Sequence, residues 1–352
     1  MNEIVRTSAG WKCRSAELWL DAHRPVPSSF VSDARVDPVA RHERMVATAA
    51  TVALLGRRGR MTQALPVSFG QPFTYGPLRL ELLPAGHILG SAQLRIEKDG
   101  ERIVYAAAVD SAASRTAEPL VPARCETLIL DATFGDPRYR FPSPEKSHER
   151  MARFAEDALA GGETAIFFAD ELGAAQEVAR VLGERGFSPR LHADAWRFAE
   201  VYLEQGVRLP QAAPLSARPK SGEVVIAPPR LVGSRWWQRM GRSRTCLVAS
   251  PTALPPAADE AERGAHAGAQ TSLPLAVQAA APVAGRSKSA GVDRTIVLAQ
   301  RADFEGLVAY ARATGASNVL TFRGHAETLA RELRGLGIDA SPLEGNSQLR
   351  LF

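Results

Sequence analysis

The apolar pattern of this 352-residue chain changes period near Ser147, and that switch limits the architectures open to it. Before the switch the runs are strand-length. Leu78 to Leu83, Ala92 to Glu97 and Arg102 to Ala107 read as strands, and the turn Lys98-Asp99-Gly100 makes a hairpin of the last two. Thr127 to Leu130 is a continuous apolar run of the kind that fills a buried strand. After the switch, predicted helices at Glu149 to Ala160, Leu172 to Arg185 and Ala195 to Gly206 alternate with strands. Those strands are Thr164 to Phe168, Ser188 to Leu191, Val224 to Ala227 and Thr245 to Ala249. Such alternation implies a parallel sheet flanked by helices. From about Pro251 to Gly291 the chain is rich in Ala, Pro, Gly and Ser, with no sustained apolar period. It is expected to be a disordered linker, because it buries too little apolar surface to offset its ordering entropy. Strand and helix patterns resume over Thr295 to Leu298, Phe304 to Thr314, Asn318 to Thr321 and Ala326 to Leu336.

The bulk numbers exclude a few classes. No run of 18 or more apolar residues occurs, which argues against a membrane span. The start, MNEIVRTSAGWKC, has no basic region followed by an apolar stretch, so the expected location is cytoplasmic. Cys13, Cys125 and Cys246 are far apart and form no CxxC pair; they read as reduced thiols. The formal charge of +5 hints at an anionic partner.

Two segments carry a family resemblance. Pro84 to Gln93 (PAGHILGSAQ) precedes the hairpin, and Leu128 to Gly135 (LILDATFG) follows it. At this spacing the pair resembles the metallo-β-lactamase-fold nucleases with a β-CASP domain. The likeness is greatest to the branch of ligase-associated DNA exonucleases and mRNA 3′-end processing exonucleases. Ala9-Gly10, Asp21 to Val26 (DAHRPV) and Ser114 to Pro119 (SRTAEP) fall in family order. The resemblance implies an α/β chain: a metallo-β-lactamase αββα sandwich with an inserted β-CASP α/β domain. Residues 1–145 would form the first part of the sandwich, 146–250 the insertion and 251–291 the linker. Residues 292–352 would return to the sandwich and end in a tail.

The family uses two zinc ions to activate water and clamp the scissile phosphate. Its first ligand cluster, HxHxDH, falls on Asp33 to Pro38, where only Asp37 keeps a ligand type. Arg35 replaces one histidine and Pro38 another. His87 persists. Ala107-Ala108 stands where a Gly-Asp pair would supply the bridging carboxylate. Arg301 replaces a late active-site histidine, and Arg323 replaces the final ligand. A guanidinium stays protonated and repels a dication. The resemblance therefore implies a degenerate site, with Asp37, His87 and Asp131 as family remnants and no resident cofactor, or zinc if any site survives. The expected function is a catalytically inactive nucleic-acid-binding or scaffold protein in DNA repair. The alternative is an active nuclease with a rearranged site of Asp37, His87 and Asp110.

Other residues bear on partners, with DNA expected rather than RNA, and no membrane. Arg35, Arg301 and Arg323 would converge on the old metal pocket, either to hold phosphate or to pair with Asp33, Asp37 and Asp303. Arg235, Trp236, Trp237 and Arg239 lie in a basic stretch running from Arg218 to Arg244. They suit a single strand, with bases stacked and phosphates paired, or else a helix with core tryptophans. The last five residues, QLRLF, resemble the peptide by which bacterial repair proteins dock on the sliding clamp. Gln348, Leu349, Leu351 and Phe352 would make the contact, Leu351 and Phe352 filling an apolar pocket with Gln348 at its rim, unless the segment packs as a terminal strand. A looser copy spans Gln270 to Leu275.

Overall fold

A computed structural model describes residues 3–36, 40–59, 63–251 and 291–343. The chain is mixed α/β and divides into two units, Met1–Arg140 with Arg301–Phe352, and Phe141–Gln300.

The first unit holds two sheets. One has six strands in chain order: Ile4–Thr7, Gly10–Cys13, Trp19–Leu20, Ser28–Phe30, Arg44–Ala47 and Gln63–Pro66. The other has seven strands, running Ala340–Pro342, Asn318–Phe322, Thr127–Asp131, Glu101–Ala106, Ala92–Lys98, Leu78–Pro84 and Phe73–Tyr75. Its Ala92–Lys98 and Glu101–Ala106 strands form the expected hairpin, turning at Asp99 and Gly100, both with positive φ. From there to Asn318–Phe322 the pairing is parallel.

Alternation along these strands sorts the core. Val104, Ala106, Leu128, Leu130 and Val319 join one apolar cluster with Leu307, Tyr310, Leu329 and Leu333 of the helices Phe304–Thr314 and Ala326–Gly335. Tyr105, Ile129 and Phe322 face the other way, into a cluster shared with Leu18 and with Leu20, Phe30 and Val46 of the six-stranded sheet. Tyr105 stacks on Phe322 at 5.5 Å between centroids and meets Phe30 edge-on at 6.3 Å. Each such pair adds roughly 1 kcal/mol beyond its buried area.

The second unit is a six-stranded, all-parallel sheet: Ala213–Pro214, Ser188–Leu191, Glu223–Ala227, Thr164–Phe168, Ser243–Ala249 and Arg294–Val297. Its helices are Pro144–Ala160, Ala174–Glu184, Ala193–Glu204 and the short Arg235–Gln238. The first begins five residues before the expected Glu149, because Ser143 caps it and Pro144 sits at its first position. Expectation placed the strand near Thr295 with the returning first unit. Instead, Arg294–Val297 pairs with Cys246 to Ala249, and the return falls at Arg301. A short β-branched run carries no mark of which sheet edge it completes. Asp293 secures the join, accepting from the backbone and hydroxyl of Thr245 at 2.7 and 2.9 Å. The expected linker lies almost wholly outside the described residues.

No described helix is long and apolar enough to cross a membrane. The three cysteines are free and buried, and burial pushes their thiols up to about 12, 11 and 12 for Cys13, Cys125 and Cys246.

Candidate functional site

The PAGHILGS segment is a tight loop held by its own polar groups. Ser91 Oγ accepts from the backbone of His87 at 3.0 Å and of Ile88 at 3.2 Å. Glu118, from the SRTAEP turn, accepts from Gly90 N at 2.9 Å, and Thr48 donates to Gly90 O at 2.7 Å. Gly86 has φ +85, and a Cβ there would collide with the carbonyl of Asp110. Both motifs thus meet a demand of backbone packing that exists with or without a metal. His87 is buried within this loop.

The resemblance implies zinc, but the residues at the ligand positions do not fit it. Asp33 Oδ1 accepts from Arg35 N at 2.6 Å, closing a local turn. Asp110 does likewise with Ala112 N at 2.9 Å. Ala107 and Ala108 are buried and offer no donor. Arg323, where the resemblance would place the final ligand, is a cation. Among the described residues no group of three or more His, Cys, Asp or Glu side chains is placed to hold a metal ion. Asp37 lies outside the described residues, as do Gln348, Leu349, Leu351, Phe352 and the Gln270 to Leu275 copy.

The structure brings together a different set. Asp131 and Phe322 are register partners at the ends of two parallel strands, and Arg323 follows Phe322. In extended backbone residue 323 would turn to the opposite face. Instead Arg323 has φ +61, and its Nη1 donates to Asp131 Oδ2 at 3.2 Å, beside the ring of Phe322. Asp131 Oδ1 accepts from Thr133 N at 2.8 Å and from its hydroxyl at 2.5 Å. Asp21, with φ +45, ends the Trp19–Leu20 strand. It accepts from Ser32 N at 2.8 Å and from Tyr105 Oη at 3.1 Å. Burial pushes its carboxyl up to about 6, against the lowering effects of the Ser32 hydrogen bond and the Arg323 charge. Burial works against charging Arg323, yet Tyr105, Asp131 and Asp21 outweigh it and raise its pKa.

Asp21, Tyr105, Phe322 and Arg323 line a cavity of about 360 Å³ with Arg6, Thr7, Ser8, Trp11 and His23. The DAHRPV motif named Asp21 and His23. Arg6, Trp11 and Tyr105 carried no motif signal, and only the alternation that turns Tyr105 away from the helices could have pointed to it. His23 was not expected to take part. Of the three arginines expected to converge, only Arg323 lines this cavity. Arg35 sits in the Asp33 turn, and Arg301 is half-buried where the chain re-enters the first unit. Arg323 pairs with Asp131 rather than with Asp33 or Asp303 among the described residues. Asp303 instead caps the helix Phe304–Thr314, accepting from Gly306 N at 2.9 Å.

In the second unit, Trp236 and Trp237 are half-buried on a cluster with Phe168, Val232 and Met240. Trp237 meets Phe168 edge-on at 5.7 Å, and Trp236 meets His192 at 5.3 Å. Both rings are partly used in packing. Arg235 and Arg239 are exposed, while Arg230 pairs with Glu171 and Asp194.

No family model matches the chain. It is 29% identical over 99% of its length to a probable DNA ligase of Opitutus terrae, covering 32% of that protein. It is 28% identical over 30% of its length to an RNase J-like protein of Methanocaldococcus jannaschii, covering 25% of it. It is also 30% identical over 40% of its length to the transcription termination factor FttA of the same organism, covering 22%. The chain therefore spans about a third or less of these relatives. A crystal structure of an Enterococcus faecalis protein of unknown function covers 89% of this chain and 78% of its own, at TM-score 0.57 and 12% identity, a likeness of fold alone. The chain is a mixed α/β protein, and its relatives support the metallo-β-lactamase/β-CASP family at low identity.

Proposed function

We propose that this chain is a non-catalytic member of the metallo-β-lactamase/β-CASP nucleases that binds DNA ends during repair. In this reading the first unit is the αββα sandwich, the second is the inserted β-CASP domain, and the nearest branch is the ligase-associated one. One observation carries the loss of catalysis. Arg323, which the resemblance aligns with the final zinc ligand, is a guanidinium paired to Asp131 at 3.2 Å. Restoring a metal there requires breaking that pair and bringing a dication beside a fixed cation. DNA is favoured over RNA by the Opitutus relative, a probable DNA ligase whose likeness runs through nearly this whole chain. Residues Gln348 to Phe352 dock the protein on a sliding clamp in the same reading, on the strength of their pattern.

Metal content and nuclease activity of the full chain test the proposal. The expected results are zinc far below one equivalent, binding of single-stranded DNA, and no cleavage of DNA or RNA that a chelator stops. Near-stoichiometric zinc, with chelator-sensitive cleavage lost in His87→Ala, would establish the rearranged nuclease instead. Deleting the last five residues should abolish clamp binding in a pull-down with purified clamp; retention would remove the tail from the proposal.

A further inference from the structure

We propose that Arg230 and His192 compete for one carboxylate, Asp194, and form a proton-driven pin at the carboxyl edge of the second unit's sheet. Three neighbouring strands, Ser188–Leu191, Glu223–Ala227 and Thr164–Phe168, end side by side there. The middle strand leads through Pro228 and Pro229 into Arg230. Each flanking strand is followed by a carboxylate, Asp194 on one side and Glu171 on the other. The guanidinium spans the gap, with Nη1 donating to Glu171 and Nη2 to Asp194 Oδ2. His192 Nδ1 lies 3.1 Å from that same oxygen of Asp194.

The neutral imidazole caps the helix Ala193–Glu204, its Nδ1 accepting from Asp194 N at 3.3 Å. Once protonated, that nitrogen can only donate, and Asp194 Oδ2 is within its reach. A charged His192 thus takes the partner that Arg230 holds. The charged groups facing the ring are Asp194 on its own helix, Glu171 from the turn after Thr164–Phe168, and Arg230. Burial holds the His192 pKa below its usual value; Asp194 opposes this, Arg230 reinforces it and Glu171 opposes it. Part of that burial comes from the strap of residues 229–240, whose Trp236 meets the imidazole edge-on at 5.3 Å. A proton disfavoured while the pin is closed favours the open pin as pH falls. On opening, Arg230 keeps Glu171 alone, and its side chain, already 48% exposed, is free to turn toward an anion. Arg235 and Arg239 stand exposed on the same strap, so opening adds a cation to a basic segment. Val232, Trp237 and Met240 seat the strap on an apolar cluster with Phe168, which keeps the change local. The pin itself needs no ligand; its use, drawing in a phosphate backbone in acid, rests on the nucleic-acid reading.

A nuclear magnetic resonance titration of the full chain reads the His192 imidazole directly, its signal assigned by its loss in His192→Asn. Arg230→Gln should raise the His192 pKa, because removing the rival cation leaves Asp194 to the ring. An unchanged or lowered value in Arg230→Gln overturns the competition. Amide exchange over residues 229–240, corrected for its intrinsic pH dependence, should be faster at about pH 5 than at about pH 7.5. That difference should vanish in His192→Asn, which keeps the helix cap because asparagine also accepts from the Asp194 backbone. Equal exchange at both pH values, or a difference that survives His192→Asn, overturns the pin. Between the same pH values, affinity for single-stranded DNA should gain roughly tenfold more in the native chain than in His192→Asn, the value of about one charge-assisted contact. Equal gains would overturn the use of the pin on DNA. Absence of binding at either pH fails the nucleic-acid reading, and the titration and exchange then decide the pin without it.

Discussion

Arg323 and Asp131, 192 residues apart, close the ends of two adjacent parallel strands with a 3.2 Å ion pair. The pair stands where the resemblance would place the last zinc ligand beside a β-CASP motif carboxylate. Asp131 is 5% exposed and is hydrogen-bonded by this partner and by Thr133.

Arg323→Ala should lower stability by about 2 kcal/mol, because it strands a buried carboxylate that keeps only its Thr133 bonds. Arg323→Gly should cost about 1 kcal/mol less than Arg323→Ala, since glycine relieves the left-handed strain at φ +61. Denaturation in urea of both variants separates backbone strain from ion pairing. Equal losses would show that the backbone at residue 323 is unstrained.

Asp21→Asn should flatten part of the pH dependence of stability. The Asp21 carboxyl is raised to about 6 from an ordinary value near 4, so the folded chain holds this proton more tightly than the unfolded chain does. Its contribution is complete below pH 4 and is lost as pH rises through 6, a difference of about 3 kcal/mol. Glu126 and Asp136 slope the other way. Hydrogen bonds from Arg102 and Arg138 hold their carboxyls down to about 2, so their contribution is lost as pH falls from 4 to 2 and does not overlap. Urea melts at pH 4, 5, 6 and 7 should show the variant gaining on the native chain as pH rises. A constant difference would mean that Asp21 titrates normally.

Gly86→Ala should cost about 3 kcal/mol, because the new methyl meets a backbone carbonyl at Asp110 and the residue sits at φ +85. Thermal unfolding checks this. A loss under 1 kcal/mol would show that the PAGHILGS loop can shift away from Asp110 without penalty.

Trp237→Ala should destabilise the protein by about 3 kcal/mol, since the ring packs on Phe168. Arg239→Ala, at an exposed position, should stay within about 0.5 kcal/mol. If Trp237→Ala leaves unfolding unchanged but weakens binding of single-stranded DNA, the indole serves as a stacking platform and not as core.

The order of elements was legible in the sequence because helices and strands write their period locally. The hairpin at Lys98 to Gly100, the parallel α/β middle and the glycines of PAGHILGS were all readable over a few residues. The side chains that the resemblance would set at ligand or active-site positions, Arg35, Arg301, Arg323 and Ala108, are local chemistry and were readable as such. Which groups pair with one another was not legible. Arg323 meets Asp131 through strand register and a positive φ. Asp21 meets Tyr105 across 84 residues because two sheets share one core. The same core takes Asp21 out of water and raises its pKa. Local pattern determines what each residue can donate or accept; only packing between distant strands decides which partner it finds and how much water remains.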